Sequence, residues 1–149
     1  MLILVMASAL LFSCSPKSKE ISSTEATKEL RSAVTLPLDK YSPMMSSVPG
    51  LPVKVEFPAS WKASGYEVIA TCNNGSLLSW NPPNYLVNEQ GKSFKLSSSS
   101  TLYWSPYGMQ NMPSDDMLTL ALYTGSRELG KIEVKISTND EGNYIGEMN

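Results

Sequence analysis

The last third of the chain permits few folds. Leu118, Leu120 and Leu122 alternate with Thr119, Ala121 and Tyr123; past Gly125-Ser126, Ile132, Val134 and Ile136 alternate with Lys131, Glu133 and Lys135. A period of two puts apolar side chains on one face of an extended strand and polar ones on the other. Two antiparallel strands with one buried face follow. Asn139-Asp140-Glu141-Gly142 marks a second turn, and Tyr144 and Ile145 open a short third strand.

The same texture runs back to Pro49. Val53, Val55 and Phe57 alternate with Lys54 and Glu56 until Pro58, and Tyr66, Val68, Ala70 and Cys72 share one face. Asn74-Gly75 is a strong hairpin signal, because two-residue turns favour residues that tolerate positive φ. It predicts that Leu77, Leu78 and Trp80 return beside the preceding strand. Pro82-Pro83 lacks ladder donors and reads as a loop. Phe94 with Leu96, and Leu102 with Trp104, give two more short strands, with Tyr103 on the opposite face from Trp104. Seven or eight short strands in about 100 residues, with turn signals every 8–12 residues or so, predict an all-β antiparallel β-sandwich over 51–149. The domain resembles immunoglobulin-like sandwiches. That resemblance implies Trp80 as the core tryptophan of a central strand, although the class's second core cysteine is absent here.

Composition narrows the chemistry. Lys plus Arg number 12 and Asp plus Glu 14, intermixed along the chain, so no basic footprint for nucleic acid exists. There is no histidine, which removes the commonest general base near neutral pH and the commonest neutral metal ligand. Neither a serine nucleophile elbow nor a phosphate-cradling glycine loop is present. Asp115-Asp116 and the Asn139–Asn143 run lack the ligand spacing of a calcium loop. The expectation is a chain with no enzymatic activity, metal or cofactor.

Residues 1–13, MLILVMASALLFS, carry no charged side chain, and the chain turns polar after Cys14. The run suits a secretory h-region better than a spanning helix, which needs about 20 apolar residues. Leu11-Phe12-Ser13-Cys14 resembles the cleavage box of bacterial lipoproteins. The resemblance implies a signal peptide over 1–13, cleavage before Cys14, diacylglycerol on its sulfur and room for a third acyl chain, palmitate-like, on the new amino terminus. It implies a membrane partner through the lipid on Cys14 and, with Ser rather than Asp at position 15, the outer membrane where the cell has one. Residues 14–50, rich in Ser and Pro, read as the lipidated N-terminus and a flexible tether. Within them Ser22 and Glu25 have capping-box spacing, and Ala26, Leu30, Ala33 and Val34 would share a helical face. With Cys14 acylated, Cys72 is left unpaired as a core thiol.

Recognition is expected on loops or a sheet edge. Trp80, Tyr85, Trp104 and Tyr107 are the candidate ligand-binding residues, because flat rings beside proline-bearing loops stack on sugars or grip peptides. Trp104 also alternates with Leu102, and Trp80 follows Leu78, which gives both a core alternative. Trp61, between Ser60 and Lys62, is a further exposed anchor in this reading. Two functions follow: a lipid-anchored envelope module that docks another envelope protein, or a carbohydrate- or peptidoglycan-binding module. Coplanar exposed rings around a groove would favour a glycan; a bare sheet edge or apolar patch would favour a protein.

Overall fold

A computed structural model describes residues 21–107 and 112–149. The expected signal peptide and Cys14 lie outside the described residues. Two antiparallel sheets of five strands face each other. The first holds β1 (Val34–Thr35), β2 (Leu51–Val55), β7 (Ser100–Ser105), β4 (Ser76–Asn81) and β5 (Leu86–Gly91), in that order. The second holds β10 (Tyr144–Met148), β9 (Arg127–Thr138), β8 (Asp115–Thr124), β3 (Glu67–Cys72) and β6 (Ser93–Leu96). Among the described residues no helix is long and apolar enough to cross a membrane.

The alternation expected of β8 and β9 is the one observed. Leu118 pairs with Val134 and Leu120 with Ile132, and all four are buried. From the opposing sheet, Leu51, Val53, Leu77, Leu102 and Trp104 complete the same core. Burial of this kind contributes about 25 cal/mol per Å² of apolar surface and is the main force closing the two sheets.

The expected tether is docked from Ile21 onward. Helix α1 (Ser23–Ala33) is capped by Ser22, whose hydroxyl accepts the Glu25 amide at 3.2 Å, and it buries Ala26, Leu30 and Ala33. It lies against Gly130 of β9, where a Cβ would stand 2.9 Å from the Thr27 nitrogen. An 11-residue helix is marginal alone; this contact is what holds it. The chain then adds β1 to the first sheet, and Tyr41 exchanges backbone hydrogen bonds of 2.8 Å with Tyr144.

Two further expectations are corrected. Trp61 is fully buried, not an exposed anchor. It sits on a short helix, α2 (Ala59–Ser64), which turns it inward; its Nε1–H donates to Glu29 Oε2 at 2.9 Å and its ring meets Phe57 edge-on at 5.3 Å. Its polar neighbours Ser60 and Lys62 face solvent and disguise it in the sequence. Asn74-Gly75 is not a hairpin: β3 belongs to one sheet and β4 to the other, so the turn carries the chain between layers. The reason is Asp116. Its carboxylate accepts the backbone N–H groups of Asn73, Asn74 and Gly75 at 2.8–3.0 Å, the Trp104 Nε1–H at 2.7 Å and the Met117 amide at 2.8 Å. Gly75 is required by close approach: a Cβ there would lie 2.4 Å from Trp104 Nε1. Burial alone would raise the Asp116 pKa; the hydrogen bonds from Gly75, Trp104, Asn74 and Met117 outweigh it and hold the carboxyl below its ordinary value.

Candidate functional site

The outer face of the first sheet carries the candidate surface. Strands β4 and β7 alternate, so Leu77 and Trp104 point inward while Leu78, Trp80 and Tyr103 point outward. Trp80 is therefore on the outer face, not the core tryptophan of a central strand. Trp104 has no exposed surface and leaves the candidate set; it is a core residue stacked edge-on against Tyr144 at 4.9 Å.

Trp80 and Tyr85 are brought together, with ring centroids 4.6 Å apart and planes inclined at 52°. Trp80 also meets Tyr103 edge-on at 5.7 Å and 86°. Sequence reasoning missed Tyr103 as part of this cluster, although the alternation that turns Trp104 in must turn Tyr103 out. The cluster forms a stepped apolar relief, with no two of its rings parallel.

Tyr85 has φ of 48°, the non-glycine residue among those described that adopts the left-handed region. That conformation costs an L-residue about 1–2 kcal/mol, yet its ring remains 49% exposed. The strained backbone holds this half-exposed ring against Trp80. The strain is measurable. Tyr85→Gly and Tyr85→Ala both lose the ring, but only glycine relieves the backbone, so Tyr85→Gly should unfold about 1 kcal/mol harder than Tyr85→Ala. Equal denaturation midpoints would remove the strain.

Next to this cluster runs a groove of about 520 Å³ lined by Pro43, Val48, Ser76, Leu78, Val87 and Tyr107, with Tyr41, Pro49 and Ser105 completing it. None of these side chains carries a charge at neutral pH. Tyr107 is 50% exposed; its hydroxyl donates to the Pro43 carbonyl at 3.1 Å, and its amide is held by Ser105 Oγ. Tyr85 and Tyr107 thus lie along one face but do not touch. Strand β5 closes that face as an unpaired edge of the sheet, with Leu86 exposed and Val87 53% exposed. Pro43, Leu78 and Val87 were not anticipated, because the groove joins three separate stretches of the chain, 41–49, 76–87 and 105–107.

The opposite end of the sandwich is different. Glu25, Lys28, Glu29 and Glu56 line a groove between α1 and Phe57-Pro58, and Ser22 lies in a recess with Trp61 and Tyr66. The described chain therefore begins at the Gly130 end of β9, while Tyr41, Ser76 and Tyr107 cluster at the Ile136 end. The strand rise makes these ends about 20–25 Å apart.

Comparison with known proteins finds no matching family model, no matching curated protein and no matching solved structure.

Proposed function

We propose that this is a non-enzymatic, lipid-anchored cell-envelope protein whose sandwich docks a protein partner through the outer face and free β5 edge of the first sheet. The observation that carries the reading is the exposed apolar run Tyr85-Leu86-Val87 where β5 begins along the open edge of the first sheet, with Val87 also lining the uncharged groove. Open edges expose backbone donors and acceptors to a partner strand, and soluble domains normally blunt them with charge or proline. The mutual inclination of the Trp80 and Tyr85 rings suits side chains that fill steps better than the flat platform a glycan stacks on. In this reading a lipid on Cys14 holds the domain at the bilayer, which in a two-membrane cell is the outer membrane, and the groove end at Tyr41, Ser76 and Tyr107 points away from α1.

A charge placed on this strip separates docking from stability. Val87→Asp should leave the denaturation midpoint within about 0.5 kcal/mol of the parent, since the side chain is half exposed. It should also abolish photo-cross-linking from a probe at Tyr85 in membranes. Lys131→Asp, on the polar face of the other sheet, should leave cross-linking intact. Undiminished cross-linking in Val87→Asp would exclude this face as the docking surface.

A further inference from the structure

Residues 42–48 cross the end of the first sheet and form one wall of the uncharged groove. Their two ends are fixed. Tyr41 is bridged to Tyr144, and at Gly50 a Cβ would lie 2.3 Å from the Trp104 carbonyl oxygen, so the backbone there is pressed against β7. Between these points the segment closes on itself: the Ser46 amide donates to the Ser42 carbonyl at 3.0 Å, and the Ser42 amide donates to Ser46 Oγ at 2.9 Å. At its tip Met44 and Met45 are 90% and 89% exposed, with almost no packing. Two ties join this turn to the sheets: the hydrogen bond from the half-exposed Tyr107 hydroxyl to the Pro43 carbonyl, reaching across 64 positions of sequence, and the partly buried Val48, which packs against the core beside the Gly50 anchor. A self-contained turn, pinned at both ends and held over Pro43 by an exposed hydrogen bond, can lift its Ser42–Ser46 part while Val48 stays seated beside the Gly50 anchor.

We propose that residues 42–48 are a strap that gates the groove over Leu78 and Val87, latched by Tyr107 on Pro43. The inference rests on the docking reading and adds its regulation. With the latch made, Leu78 is buried beneath the outer face. With it released, the Ser42–Ser46 part of the strap swings between Tyr41 and Val48 and the groove floor is laid open to an incoming apolar side chain. Met44 and Met45 are suited to the rim of such an opening, because the thioether is flexible and adapts to varied apolar surfaces.

The test reads strap opening without any partner. Leu78→Cys places a thiol on the groove floor, and Cys72 is a built-in reporter of global opening. Cys72 is buried in the core, and burial, opposed in part by Lys92, pushes its thiol up to about 11, so it labels slowly unless the whole fold opens. In the full chain carrying Leu78→Cys, adding Tyr107→Phe removes the latch hydroxyl and keeps the ring. Maleimide labelling at position 78 should rise about fivefold, the population shift expected for losing one exposed hydrogen bond, and should stay far faster than labelling at Cys72, which waits for the whole fold to open. No rise at position 78 would overturn the strap. Labelling at position 78 no faster than at Cys72 would mean that position 78 is reached only by global unfolding, and would overturn it as well. Because no partner enters, the strap can fail while Val87 docking stands, and the reverse.

Discussion

Replacing Asp116 with alanine should lower the unfolding free energy by about 3–5 kcal/mol, the range for breaking a buried charged network. The carboxylate is 5% exposed and accepts from four backbone amides and one indole. Alanine leaves those donors unsatisfied where water enters poorly, and that desolvation is the larger part of the loss. Asp116→Asn is nearly as damaging, because its amide turns a donor toward groups that are themselves donors. The effect is linked to pH. The folded carboxyl titrates below its ordinary value of 3.8, so its stabilisation is complete above that value and is lost as pH falls through the lower folded value. Denaturant melts of the parent should therefore weaken below about pH 4, and the slope of that decline should be shallower in Asp116→Asn. Equal slopes would show that Asp116 does not carry the acid sensitivity.

Trp104→Ala should cost a similar amount, about 3–5 kcal/mol, from lost burial and the cavity left behind. The indole is fully buried between Gly75, Tyr144 and β4. Trp104→Phe keeps much of the bulk and deletes the Nε1–H, so its cost of about 1–3 kcal/mol isolates the bond to Asp116. The two residues share one hydrogen bond and should not be additive: a double-mutant cycle of Trp104→Phe with Asp116→Ala should give a coupling energy of at least about 0.5 kcal/mol. Strict additivity in urea melts would mean that the indole packs beside the carboxylate without depending on it.

Strands with one wet face were legible in the sequence. In β8 and β9 the alternation of Leu and Ile with Lys, Glu and Thr suffices, because each residue's environment follows from its own polarity. Helix α1 was legible for the same local reason, through Ser22, Glu25, Ala26 and Leu30. Its docking was not, since that depends on the absence of a side chain at Gly130, about a hundred residues later. Asn74-Gly75 misleads because its local preference for a hairpin is overridden by an acceptor forty-two residues away. One signal was available. Asp116 is in phase with Leu118, Leu120 and Leu122, so the alternation that buries the leucines also puts a carboxylate on the inward face, where it must find donors. Trp61 was misplaced by reading its polar neighbours as its environment, on a short helix where three successive side chains point in three directions. Of the candidate rings, Tyr85 and Tyr107 are exposed and Trp80 is partly so. The groove itself was invisible, since Pro43, Leu78 and Val87 meet only once both the strap and the sheet are in place.

The contact between α1 and Gly130 also sets an order of events. The helix is made early, yet the surface it needs is supplied by β9, and the Arg31 guanidinium reaches the backbone carbonyl of Asn149. A growing chain that ends before β9 has nowhere to put Ala26 and Leu30, and β2 and β3 wait in the same way for β7 and β8. Folding of this domain is thus deferred until almost all of it has been synthesised, and pairings so distant in sequence form slowly. On the export route proposed above, late and slow closure would keep the chain open for as long as transport requires it.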